Sequence, residues 1–140
     1  HKSAFLILPS TKSKFLSMWV YLKTGFYSVV HKPPCKEDEL LVRVRCNDDI
    51  NKLQKQLKEK YQFDGEVIYS PKADYAYRMI VPRNVLASFI SDAVMELNYD
   101  NFKNTVKGKD YQRQDAYMRC WEAMYEWQRD LERVKKKNNL

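Results

Sequence analysis

Apolar positions along the chain recur with two different periods, and each switch between them marks an element. In "ELLVRVRC", residues 39 to 46, apolar residues alternate with arginine, the pattern of a strand buried on one face. "YAYRMIVP", residues 75 to 82, repeats that period around Arg78 and stops at Pro82. Ahead of both, "MWVYLKTGFYSVVHKPP" reads as an extended region broken at Gly25, then a strand from Phe26 to His31 ended by Pro33 and Pro34. The short acidic loop "CKEDE" makes that strand and the next an antiparallel hairpin.

Between the two arginine-bearing strands the period lengthens. Ile50, Leu53, Leu57 and Tyr61 recur at three and four residues, and Asn47, Asp48 and Asp49 supply a cap and negative charge at the start of this amphipathic helix. "DG" at 64 and 65 ends it, "EVIYS" is a short strand and "PKAD" a turn. A second helix runs from Arg83 to about Leu97 with Leu86, Phe89, Ile90 and Ala93 on one stripe. After the connection "NYDNFKNTVKGKDYQ", where Asn101 and Lys103 are minor ligand candidates, the longest helix covers about 113–135. Such a helix spans about 35 Å.

This order predicts an α+β fold: a four-stranded antiparallel sheet in ββαββα order plus a long C-terminal helix. The segment from "LLVRVRC" onward contains five of the six elements of a ferredoxin-like unit, and "FYSVVH" fills the remaining edge, so the expected arrangement is circularly permuted. Residues 18–140 then form one domain. Residues 1–17 read either as a tag remnant or leader, or as an N-terminal arm, since their one apolar run, Phe5 to Leu8, ends at Pro9. That run is too short for a membrane span, and no membrane association is expected.

Alternation also sorts the arginines. With Val42, Val44 and Cys46 turned toward the helices, together with Tyr75, Tyr77, Met79 and Val81, the residues Arg43, Arg45 and Arg78 gather on the opposite face. A net charge of +7 mildly favours polyanions without naming one. The basic face therefore makes single-stranded nucleic acid the first candidate ligand, with Lys23, Tyr27, Tyr69 and Arg83 as companions. Neither an RNP1 octamer nor a GXXG loop is present. The structural alternative is that the last helix covers this face, with Asp115, Glu122, Glu126 or Asp130 pairing the arginines.

The last helix offers a second kind of surface. Tyr117, Trp121, Met124 and Leu131 form a stripe, while Tyr125 and Trp127 fall beside it, so aromatic surface is left for a homodimer or a protein partner.

Catalysis finds less support. Only His1 and His31 are present, and Cys35, Cys46 and Cys120 are widely spaced, which fits a reducing cytoplasm and indicates neither a disulfide framework nor a zinc site. An enzyme would have to use Asp74, Asp100, Glu66 or His31, two of the carboxylates holding Mg²⁺, and no P-loop, GxGxxG, HExxH or nucleophile elbow occurs. No cofactor or resident metal is expected.

The runs "GFYSVV", "VRVR", "DYAYRMIVPR", "YDNFKN" and "YMRCWEAMY", in that order, resemble a small bacterial and phage-associated protein family of no assigned activity. The resemblance covers nearly everything after Met18. A phage association implies one class of role, a small protein that binds and blocks a host nucleoprotein machine.

Overall fold

The computed structural model describes residues 17–100, 106 and 110–139, so the expectations for residues 1–16, Asn101 and Lys103 lie outside the described residues. The chain falls into two compact units, His1–Leu97 and Asn98–Leu140. The first contains β1 (Met18–Leu22), β2 (Gly25–Val30), β3 (Glu39–Val44), α1 (Asn47–Tyr61), β4 (Ile68–Tyr69), β5 (Tyr77–Pro82) and α2 (Arg83–Met95). The second contains α3 (Tyr111–Asn138). The fold is α+β, with an open antiparallel sheet and a long C-terminal helix.

Among the described residues the sheet has five strands, not four, in the order β1-β2-β3-β5-β4. The additional strand is the extended region before Gly25. Met18 to Leu22 fold back on β2 with Leu22 opposite Gly25 and Met18 opposite Val29. Gly25 turns the corner at φ 154°, and a Cβ there would lie 2.6 Å from Cγ of Asp49. Asp49, buried in the first turn of α1, accepts a hydrogen bond from the Phe26 amide at 3.1 Å. The α1 N-terminus is thereby tied to the start of β2.

The cap of α1 differs from expectation. Cys46 occupies the N-cap without a side-chain bond, and Asp48 and Asp49 act from the first helical turn, where negative charge complements the exposed N–H groups. The helix ends before "DG", at left-handed Gln62, and the Phe63 amide closes onto the Leu57 carbonyl at 3.0 Å. Gly65 has a different role: it is buried, and any Cβ would collide with the Met79 sulfur.

One face of the sheet packs on α1 and α2. Tyr27, Val29, Val42, Val44, Met79 and Val81 meet Ile50, Leu53 and Leu57 from α1 and Leu86 and Phe89 from α2. Withdrawing each such aliphatic side chain from water contributes about 2 kcal/mol. The β4 strand is only Ile68–Tyr69, shorter than "EVIYS", and the ladder of β5 begins at Tyr77, leaving Tyr75 free of the strand. No described helix is long and apolar enough to cross a membrane.

Candidate functional site

Directly opposed residues of an antiparallel sheet share a face. The registers Trp19↔Ser28, Ser28↔Arg43, Arg43↔Arg78 and Ile68↔Arg78 therefore string one row across all five strands, on the face turned from the core. In the neighbouring row Tyr21 stands opposite Phe26. Their rings lie 4.7 Å apart, and Trp19 meets Phe26 edge-on at 5.5 Å. Extending the β2–β3 register by one same-face step brings Phe26 level with Arg45.

The three arginines are gathered by a dipeptide just outside β5. Tyr75, buried, places its ring centroid 4.5 Å from the Arg43 guanidinium carbon and 4.1 Å from that of Arg45. Its carbonyl accepts from Arg78 Nε at 3.3 Å. The Asp74 carbonyl accepts from Arg45 at 2.7 Å, and the Asp74 carboxylate lies 3.6 Å from Arg78. The same carboxylate takes the Tyr75 amide at 3.0 Å, which fixes the bend that turns the tyrosine inward. One loop thus contacts all three cations.

Arg43 is the unusual member. It is only 8% exposed, and beyond Tyr75 its partner is the Ser28 hydroxyl, which accepts at 2.8 Å. Its Nε is buried with no hydrogen-bond partner among protein atoms. Burial first, then the adjacent Arg78 and Arg45, push its basicity down, while Tyr75 and Asp74 oppose the shift. Two like charges directly opposed across strands cost about 0.2–1 kcal/mol. Guanidinium–ring contacts contribute about 0.5–2 kcal/mol and offset that cost.

Each partner described above for the three sheet arginines belongs to the sheet unit. Asp115 and Asp130 form ion pairs inside α3, with Arg119 at 3.0 Å and Arg133 at 2.8 Å. The cluster accordingly carries three cations against one exposed carboxylate held at 3.6 Å, a local positive excess suited to an anion.

Three proposed companions are elsewhere. Tyr27 alternates onto the helix-covered face, where it is buried edge-on against Phe89 with its hydroxyl on Thr24, so it cannot stack on a ligand beside the arginines. Arg83 follows Pro82, about 17 Å along the strand from Arg78. It holds the β2–β3 loop by donating to the Glu37 carbonyl at 2.8 Å. Tyr69 pairs with Tyr77 on the face opposite the arginines, their rings stacked at 5.0 Å. Lys23 is exposed in the β1–β2 turn, near the Tyr21–Phe26 row. Sequence reasoning missed Trp19, Tyr21, Phe26 and the Asp74–Tyr75 clamp. The alternation of "MWVYL" was the available signal for the first two.

Of the residues considered for catalysis, Asp74 is engaged by Arg78, and His31 donates from Nε2 to the Lys36 carbonyl at 3.0 Å. Among the described residues no three His, Cys, Asp or Glu side chains converge as a metal site.

The second unit presents α3 with no buried residue. Trp121 and Tyr125, one turn apart, stack at 5.2 Å. Although Trp127 falls on an adjoining strip, it lines a shallow apolar groove with Trp121, Met124, Tyr125, Gln128 and Leu131. Compared with known proteins, the chain matches no family model, and no curated protein or solved structure is significantly similar to it.

Proposed function

We propose that the sheet unit is a non-enzymatic module that binds single-stranded nucleic acid across its arginine-bearing face. The observation that carries this reading is the position of three guanidinium groups, opposed by one carboxylate, on the same face as Trp19, Tyr21 and Phe26. Exposed Arg45 and partly exposed Arg78 supply phosphate contacts, while Trp19, 55% exposed, supplies a stacking surface. Arg43, held under Tyr75, adds a fixed positive field beneath them. The run from β2 to α2 is then a circularly permuted ferredoxin-like unit to which β1 adds an edge carrying the aromatic side of the platform.

Fluorescence anisotropy with labelled oligonucleotides at about 50 and 200 mM salt tests this reading. Two phosphate contacts on a single strand, from Arg45 and Arg78, weaken affinity about 7-fold over that interval. Arg45→Ala, at an exposed position, removes one contact and lowers the log–log salt slope by about 0.7. Binding that ignores both salt and this substitution would remove the face from the functional account. The apolar surface of α3 favours a second reading, a protein-interaction module, for the other unit of the chain.

A further inference from the structure

The apolar side of α3 and its charges have a common symmetry. Met124, Trp127, Leu131 and Val134 are each more than half exposed, and with Trp121 and Tyr125 they occupy one side of the helix. Trp121, Met124, Gln128 and Leu131 are spaced by three, four and three residues, the seam spacing of a two-helix coiled coil. Next to that side, at intervals of seven, stand Asp115, Glu122, Arg129 and Lys136. Their signs run negative, negative, positive, positive.

We infer that α3 is the self-association surface of this protein, pairing antiparallel with α3 of a second copy about a two-fold axis near Glu126. That axis sets Trp121 against the smaller Leu131 and Met124 against Gln128, a side chain of similar length, and then the reverse. It also brings Glu122 within one residue of the level of Arg129 of the other copy, and Asp115 within one residue of Lys136. Parallel pairing in register would oppose like charges at all four positions. The charge stripe is therefore complementary to its own reversal and repels its own copy in parallel.

The available area supports a second copy as the occupant. Trp121, Met124, Tyr125, Trp127, Leu131 and Val134 each retain roughly half of their surface. At about 100 Å² apiece these six side chains supply about 600 Å² per copy. The pair therefore buries about 1,200 Å², at the lower end of stable specific interfaces. This inference is independent of the nucleic-acid reading, since it uses residues of the other unit alone.

Sedimentation equilibrium of the full chain from about 1 to 100 µM tests it. The expected result is a reversible monomer–dimer equilibrium. Glu122→Lys and Arg129→Glu each weaken the dimer, by roughly 5-fold in dissociation constant, because each single reversal turns two symmetry-related attractions into repulsions. The double reversal, Glu122→Lys with Arg129→Glu, restores the original affinity. Circular dichroism establishes that these exposed substitutions leave the helix intact. A monomer throughout the concentration range would overturn the inference, as would a dimer indifferent to the single reversals or not rescued by the double one.

Discussion

Arg43 on β3 and Arg78 on β5 stand directly opposite each other at the centre of the sheet, and both are engaged by Tyr75, the first through its ring and the second through its carbonyl. Like charges in register are ordinarily avoided. Here the Asp74–Tyr75 loop tolerates them by turning an aromatic ring and two backbone carbonyls toward the cations, with a single carboxylate at the exposed rim.

If Arg43 is held for its charge and not for stability, Arg43→Met should leave the unfolding free energy unchanged or raise it, because a buried cation without a carboxylate partner is costly. Tyr75→Ala should lower it by about 3 kcal/mol, through loss of a buried ring. Urea titrations of both variants check the pair. Strong destabilisation by Arg43→Met would make that arginine a structural element.

The bond between the Phe26 amide and Asp49 predicts a second asymmetry. Asp49→Ala leaves a partly buried N–H without its acceptor and should cost about 1–3 kcal/mol. Gly25→Ala, which forces a Cβ against the same carboxylate, should be at least as damaging, and in the two variants amide exchange should accelerate in both β1 and β2.

Leu53 lies at the interface of α1 with the sheet, completely buried. Leu53→Ala should cost about 2–5 kcal/mol. The same substitution at Leu131 on α3 should change the stability of the sheet unit little, and differential scanning calorimetry distinguishes the two.

Tyr61 donates its hydroxyl to Asp92 on α2. Burial, then the Asp92 hydrogen bond and charge and the charge of Glu96, push the phenol up from 10.0 to about 12. Between those values the unfolded chain releases the proton while the folded chain keeps it. The stabilisation is therefore full below pH 10 and is lost as pH rises through about 12. Measured against Tyr61→Phe, the native chain should lose its stability advantage across that window, and ultraviolet absorbance should record one late-titrating tyrosinate.

Strands and helices were legible in the sequence wherever period and punctuation agreed. The alternation of residues 39–46 and the three-and-four spacing of Ile50, Leu53 and Leu57 each admitted one reading, and each corresponds to a face of the core. Less visible was anything settled by pairing. Met18 to Leu22 became a strand because β2 offered an edge, and Gln62 ended α1 in a left-handed turn before the glycine that seemed to mark the stop. The clamp was concealed for a related reason. Tyr75 continues the alternation of β5 in sequence but leaves the ladder in space, so periodicity assigned it to the core face and the fold used it against the arginines.

That departure has a consequence for strand alignment. "VRVR" is a repeat: sliding β3 by two residues returns a valine to one of its two valine sites and an arginine to one of its two arginine sites, so within this stretch the side-chain pattern separates the two alignments less sharply than elsewhere. Tyr75 breaks the degeneracy. With guanidinium groups at both Arg43 and Arg45 against its ring, a two-residue slip in either direction leaves at most one of them in contact. The aromatic wedge therefore serves as an index mark for an otherwise ambiguous ruler, and its removal should let misaligned sheets compete during folding.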